Sequence, residues 1–214
     1  IKQTSLINNY KNTYSFGINS KSNCIINKSK SENTLNVSFQ NKIIKSTIYG
    51  DYNFENICIA IAIGEFFKVD FNNIKKGIES YISKNNRSQI SLKNNNTIIL
   101  DAYNANPTSM SLALESFKKT NYKNKMIILG DMFELGKDSN HYHQEITNSL
   151  EKINDSTIYI VGEYFCNTKH SDRIKSFSST KELINNLSKT NVSDYSILIK
   201  GSRGMQLEKI IEFI

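Results

Sequence analysis

The sequence has one proline, no tryptophan and three cysteines, and each scarcity excludes something. Cys24, Cys58 and Cys166 are odd in number and far apart, so they form neither a disulfide framework nor a zinc-ligand set. They fit a reducing compartment, and the cytoplasm is the expected location. No stretch approaches the ~18 apolar residues of a membrane span, and residues 1–20 lack the apolar run of a signal peptide. Arginine is the scarcest charge, three residues beside 24 lysines. The net charge is +7, yet arginine does most bidentate reading of bases and phosphates. The lysines are dispersed, with Lys75, Lys76, Lys118 and Lys119 on the wet faces of expected helices. Nucleic acid is therefore not expected as a partner, whereas a small anionic substrate such as a nucleotide remains compatible. G-x-x-x-x-G-K-[ST], H-E-x-x-H and a nucleophile-elbow serine are absent as well.

Asparagine is abundant instead, at 29 residues, and most of it reads as compositional drift. The 214 residues suit one large domain or two small ones, and the periodicity changes twice along them. Short β-type runs at Tyr14–Ile18, Cys24–Ile26, Leu35–Phe39 and Ile43–Ile48 suggest an antiparallel meander or a sheet edge. Phe54–Phe67 is apolar almost all round, which predicts a buried helix. Phe71, Ile74, Ile78 and Tyr81 mark a second helix, and the polar run near 83–92 reads as a linker or hinge. From about residue 88 the order becomes β-α-β-α-β. Strands are expected at Thr97–Leu100, Met126–Leu129, Thr157–Val161, Ile174–Phe177 and Ile197–Ile199. Helical stripes lie at Met110–Phe117, Tyr142–Ile153, Lys181–Leu187 and Leu207–Ile214. Asn106 and Pro107 form a helix start, since asparagine caps free amides and proline at the first position gives up an N–H with no partner. The fold class is α/β, ending in a small open, Rossmann-like domain.

In such domains ligands meet the carboxyl ends of the strands. Polar residues gather there: Asp101 to Pro107, Gly130-Asp131, Gly162-Glu163, and Lys200 to Gly204. Asp101 is a site carboxylate or a turn cap. Asp131 is open to a ribose, a metal-bound water or a backbone amide. Lys200 and Arg203 could hold an anion, and Tyr103 could touch substrate or cover the sheet edge. His141 and His143, two apart on a helix, point away from each other and do not make a metal pair.

Four strings then carry a resemblance. They are LDAYNANPTSM at Leu100–Met110, ILGDMFELG at Ile128–Gly136 with His143 following, LIKGSRGMQLEKII at Leu198–Ile211, and GDYNFENICIAIAIG at Gly50–Gly64. Together the chain resembles the C-terminal half of the Mur ligases, strongly over residues 50–214 and weakly before. The YNANP block favours the branch that joins D-alanyl-D-alanine to UDP-N-acetylmuramoyl-tripeptide. Single-amino-acid adders of the same family and a non-catalytic remnant binding domain are the alternatives.

The resemblance implies residues 1–86 as the end of a central ATP-binding domain and 87–214 as the C-terminal α/β domain. It implies Asn53 and Asn56 beside the adenine of ATP, Arg87 on the nucleotide phosphates and Asp101 on the nucleotide, with Arg87 and Asp101 as catalytic residues. Tyr103, Asn104 and Asn106 would line the dipeptide side, with Lys200, Ser202 and Arg203 as weaker contacts. Tyr52 and Ile57 stand where the family often has histidine and alanine. The family's phosphate loop, Mg2+ ligands, carbamylated lysine and UDP-substrate domain would lie upstream of Ile1. This stretch is accordingly expected to be half of a longer enzyme and inactive alone. Some members of the family are fused to an alanine racemase.

Overall fold

The computed structural model describes residues 13–31 and 34–214. Of the polar N-terminal stretch read above for a signal segment, residues 1–12 lie outside the described residues. The chain divides into two compact units, one of Ile1–Thr47 with Asn53–Tyr81, the other of Ile48–Tyr52 with Ile82–Ile214. Each is described by itself.

The first unit has a four-stranded sheet in the order β1 (Phe16–Gly17), β2 (Cys24–Ser29), β3 (Asn36–Phe39) and β4 (Lys42–Lys45). The β2, β3 and β4 strands form the expected antiparallel meander, whereas β1 pairs parallel to β2. Gln40 and Asn41 turn the β3–β4 hairpin with φ of 49° and 58°. Both central residues of a type I′ turn need that positive φ, which asparagine tolerates better than most side chains. Two helices follow, α1 (Phe54–Phe66) and α2 (Phe71–Glu79). Asp70 caps α2 by accepting from the Asn73 amide at 3.1 Å. The all-round burial expected for α1 does not hold: Ile57, Cys58, Ile61 and Ala62 are buried, but Ile63 and Phe66 are more than half exposed. Only one face of α1 meets the small sheet and α2, so its other apolar residues stay outside. On the buried side, Tyr14 donates to Glu65 at 2.6 Å. Burial, then that bond, pushes the tyrosine pKa up to about 12.

The second unit is a six-stranded sheet in the order β5 (Gln89–Lys93), β6 (Asn96–Asp101), β10 (Ser196–Lys200), β7 (Lys125–Gly130), β8 (Ser156–Val161) and β9 (Ile174–Phe177). All neighbours are parallel except β5, which is antiparallel to β6. The segment read as a linker thus contains an edge strand. Asn94 and Asn95, with φ of 49° and 60°, fold it back on β6. Its half-exposed, mostly polar residues conceal the alternation that would announce a strand. Both faces of the sheet are buried. Ile99, Ile127, Leu129, Ile158, Ile160 and Leu198 face one core with α3 (Pro107–Lys119), α4 (Ser139–Leu150) and α5 (Glu163–Cys166). The alternate residues Ile98, Leu100, Met126, Ile128, Val161, Ile197 and Ile199 face the other core, with α6 (Thr180–Leu187) and the C-terminal 3-10 turns at Leu207–Phe213. Each such side chain contributes roughly 1.5–3 kcal/mol by leaving water. Where α-helical spacing was expected at the C-terminus, Leu207 and Ile210 sit three apart, which suits the 3-10 turn that buries them.

The connection leaving β6 runs onto the first face, and the chain leaving β10 runs onto the second. Their carboxyl ends therefore flank the topological switch point, where ligands bind open α/β sheets. Gly162, between β8 and α5, has φ of 119°, and a Cβ there would lie 2.2 Å from the Asp131 carboxylate. Gly162→Ala is expected to lower unfolding free energy by roughly 2–5 kcal/mol through backbone strain and overpacking. Urea unfolding of the variant beside the parent chain measures this, and an unchanged midpoint would contradict it.

Candidate functional site

Asp101 and Lys200 end neighbouring parallel strands and are register partners. By the period of two, each points to the same face as Ile99 and Leu198. Their side chains meet in an ion pair of 2.7 Å, with the lysine side chain 1% exposed and the aspartate 14%. The same ammonium donates to the Asn104 carbonyl at 3.2 Å. An ammonium this deep is stable only when paired and hydrogen-bonded. Lys200, expected as a substrate contact, thus has its charge inside the fold, tying β10 to the loop that follows β6.

The Asp101 carboxylate has further donors. The Ser88 amide reaches Oδ1 at 3.1 Å and the Ser88 hydroxyl at 3.4 Å. Ser88 has φ of 45°, an uncommon backbone for a non-glycine residue. That conformation points its amide and its hydroxyl at one oxygen. The Tyr52 hydroxyl lies 3.5 Å from Oδ2 and 3.1 Å from Ser88 Oγ. Burial first, then the charge of Asp101, pushes the Tyr52 pKa up, so it stays a phenol. Ser88 was not expected at the site and Tyr52 was expected only as a departure from the family's histidine, since nothing local marks a serine in a polar loop or a tyrosine at a helix start as partners of a distant aspartate.

Outside this buried group is a charged rim. The Arg87 guanidinium stacks on the Tyr103 ring at 3.8 Å from the centroid, and that of Arg203 lies 5.3 Å from it. Hydrogen bonding by Arg87, then its charge, then Arg203 hold the phenol of the half-buried Tyr103 below its ordinary pKa. The Ser83 hydroxyl donates to the Arg87 carbonyl and braces that loop.

The remaining expected residues are placed as follows. Asn104 is exposed, and its Oδ1 accepts from the Ala105 amide at 2.9 Å. Asn106 caps α3: its Oδ1 accepts from the Ser109 amide at 2.8 Å while its own amide donates to Ser109 Oγ at 3.1 Å. Ser202 is buried, and its Oγ accepts from the Phe133 amide at 2.8 Å. Asn53 and Asn56 belong to the first unit, where Asn56 Nδ2 donates to Asn53 Oδ1 at 3.0 Å. The structure thus joins Arg87, Tyr103 and Arg203 on one rim and Asp101 with Lys200 beneath. It gives Asn106 and Ser202 defined local partners.

Of the three possibilities for Asp131, the described contacts are to backbone amides, those of Tyr164 at 3.1 Å and Phe165 at 3.0 Å. Burial raises its pKa, and these amides work against the rise. His143 sits beside it, fully buried. Its Nε2 accepts from the Met132 amide at 2.9 Å, so Nδ1 carries the proton and donates to the Ser139 carbonyl at 2.7 Å. Burial pushes the His143 pKa down, which keeps the ring neutral in the fold.

The family profile described as "Mur ligase, glutamate ligase domain" matches residues 86–203. A UDP-N-acetylmuramoyl-tripeptide--D-alanyl-D-alanine ligase from Rickettsia prowazekii is 33% identical over 94% of this chain and 47% of its own length. The enzyme of that name from Bacillus subtilis is 32% identical over 77% of this chain and 38% of its own. A crystal structure of MurF from Acinetobacter baumannii superposes with a TM-score of 0.79 at 25% identity, over 93% of this chain and 46% of that one. The chain spans about half the length of the curated relatives it matches, or less.

The neutral His143 gives a pH prediction. Its pKa is lower folded than unfolded, so its contribution is present above the unfolded value, ~6.5, and lost as pH falls from there. Thermal unfolding is expected to show Tm dropping between about pH 7 and 5.5, with a shallower drop in His143→Gln. Asp131, whose pKa burial raises in the fold, acts with the opposite sign. Equal slopes in the two proteins would contradict the assignment.

Proposed function

The chain belongs to the Mur ligase family, and from that premise we propose that the natural protein carrying it joins D-alanyl-D-alanine to UDP-N-acetylmuramoyl-tripeptide at the expense of ATP. The observation that carries the reading is the convergence, at the switch point of the sheet, of Arg87, Tyr103 and Arg203 over the Asp101–Lys200 pair. It is a positively charged rim suited to anionic substrates, on a rigid base. The names of the relatives support the choice of dipeptide over a single amino acid.

In this reading residues 1–86 complete a central ATP-binding domain and 87–214 form the C-terminal domain. ATP supplies the phosphoryl group that turns the tripeptide carboxylate into an acyl phosphate. The lone pair of the dipeptide amine then attacks the acyl carbon. The new C–N bond forms, the C–O bond to phosphate breaks, and the amine proton leaves to solvent. Arg87 stabilises phosphate charge, because its exposed guanidinium has no ion pair among the described residues. Asp101 orients the nucleotide side. Asn53 and Asn56 hold the adenine, a task suited to amides that both donate and accept. Tyr103, Asn104 and Asn106 line the dipeptide side.

Among the described residues no group of three or more His, Cys, Asp or Glu is placed to hold a metal. These described residues do not by themselves cage the Mg2+ that accompanies ATP. No described helix is long and apolar enough to cross a membrane, and the proposed nucleotide substrates support a cytoplasmic reaction.

Phosphate release by the natural protein with ATP and UDP-tripeptide tests the reading. It is expected with D-alanyl-D-alanine and not with single amino acids, and Arg87→Ala should lower kcat by about 100-fold or more. Release that is faster with a single amino acid would contradict the choice of dipeptide.

A further inference from the structure

Of the three histidines in the chain, His143 alone is buried. A phenylalanine would fill the same space without the cost of burying two ring nitrogens. What the histidine adds is one donor and one acceptor at fixed places. Tyr164, stacked at 5.2 Å between centroids, and the edge-on Phe165 at 4.7 Å set the plane of the ring. Nδ1 is tied to the Ser139 carbonyl one turn earlier in α4, and this leaves Nε2 as the acceptor for the Met132 amide.

From Met132 the restraint passes outward. The next amide, of Phe133, donates to Ser202 Oγ at 2.8 Å, and the Ser202 amide donates to the Asp131 carbonyl at 3.1 Å. The Phe133 ring lies over Gly204, where a Cβ would come within 2.7 Å of it. Residues 131–133, after β7, thus hold residues 202–204, after β10. Arg203, in the middle of the held segment, has its guanidinium 5.3 Å from the Tyr103 ring.

The acceptor at the start of this chain of contacts is also a proton site. The titratable groups facing it are Tyr164 of α5 and Asp131, whose Oδ1 lies 3.6 Å from Nε2. Glu163 acts on the Asp131 side, and His141 and Glu145 of α4 pair with each other on the exposed side at 3.4 Å. A proton on Nε2 turns the acceptor into a donor. It deprives the Met132 amide of its partner and offers an N–H to Asp131 instead, so the Met132 bond and the protonated ring exclude each other. Burial pushes the His143 pKa down, which keeps the Met132 bond at neutral pH.

We propose that His143 is a positioning residue for the rim: its neutral ring holds Met132 and Phe133, these hold the loop of residues 202–204, and proton uptake by the ring releases that loop and slows turnover. The effect on turnover rests on the ligase reading above, whereas the release of the loop does not. The size of the effect follows from linkage. In the released loop His143 titrates near its ordinary value of ~6.5, so going from pH 8 to pH 5.5 favours release by about 10-fold.

Two measurements on the natural protein test it. The first follows amide hydrogen exchange at residues 132–133 and 202–205 at pH 8 and pH 5.5, corrected for the intrinsic pH dependence of exchange. Protection in the unaltered protein should fall by about 10-fold between the two. His143→Gln, whose amide oxygen reaches the place of Nε2 but takes up no proton, should stay protected at both. His143→Leu, with no acceptor, should be poorly protected at both. The second measures kcat/KM for D-alanyl-D-alanine, with ATP and UDP-tripeptide, as the ratio of His143→Gln to the unaltered protein, so that titration of the dipeptide amine cancels. The ratio should rise by about 3-fold or more from pH 8 to pH 5.5, which a role in stability alone would not produce. Near-UV circular dichroism at each pH shows that the proteins compared are folded, and His143→Gln carries the test where His143→Leu does not fold. Equal pH dependence of protection in the unaltered and His143→Gln proteins, or a flat ratio, overturns this inference and leaves the ligase reading standing. A natural protein that joins no dipeptide overturns the ligase reading, and hydrogen exchange then decides by itself whether His143 holds the loop.

Discussion

The ammonium of Lys200, 1% exposed and 2.7 Å from the Asp101 carboxylate, is the constraint on which the rest of the site depends. Burying that charge alone would cost several kcal/mol, so its partners have to be in place for the unit to fold. Asp101 satisfies it and in turn receives the Ser88 amide. The Asn104 carbonyl takes another of its protons. Through these bonds one ion pair organises the end of β10, the end of β6, the turn into α3 and the loop before β5. Arg87 precedes Ser88, Tyr103 precedes Asn104, and Arg203 lies three residues beyond Lys200. The exposed rim is thus built on residues adjoining those that the buried pair holds.

This layering explains why the polar tips of the sheet do not all perform one task. Inner side chains satisfy one another and the backbone: Asp131 takes two amides of α5, and Ser202 takes the Phe133 amide. The exposed guanidinium groups of Arg87 and Arg203 stand outside them and form no ion pair among the described residues. The division follows solvent access, because a buried polar group needs partners from the protein whereas an exposed one is free to wait for a ligand.

Much of the second unit was legible in the sequence because its strands are buried on both faces and its helices on one. Ile127 to Leu129, Ile158 to Val161 and Ile197 to Ile199 are continuous apolar runs, as strands of a covered parallel sheet must be. The β5 strand was not legible, since an edge strand with Leu92 largely exposed has no buried alternation to display. The burial of α1 was overestimated because composition shows that a helix is apolar, not which of its faces finds a neighbour. The residues of the site were visible as a set of strand tips, but their pairing was not. Asp101 and Lys200 are 99 residues apart, and only the insertion of β10 between β6 and β7 makes them register partners. Strand order is a tertiary fact that spacing along one chain does not contain.

The most direct test of the claim that the buried pair underlies the site is a double-mutant cycle on unfolding free energy, with Lys200→Met, Asp101→Asn and the two combined. Each single substitution leaves a buried polar partner unmatched and should cost about 3–5 kcal/mol. The combined variant removes both charges and should cost at least about 2 kcal/mol less than the two single effects together. Additive costs, or a Lys200→Met protein as stable as the parent chain, would show that the site does not depend on this pair.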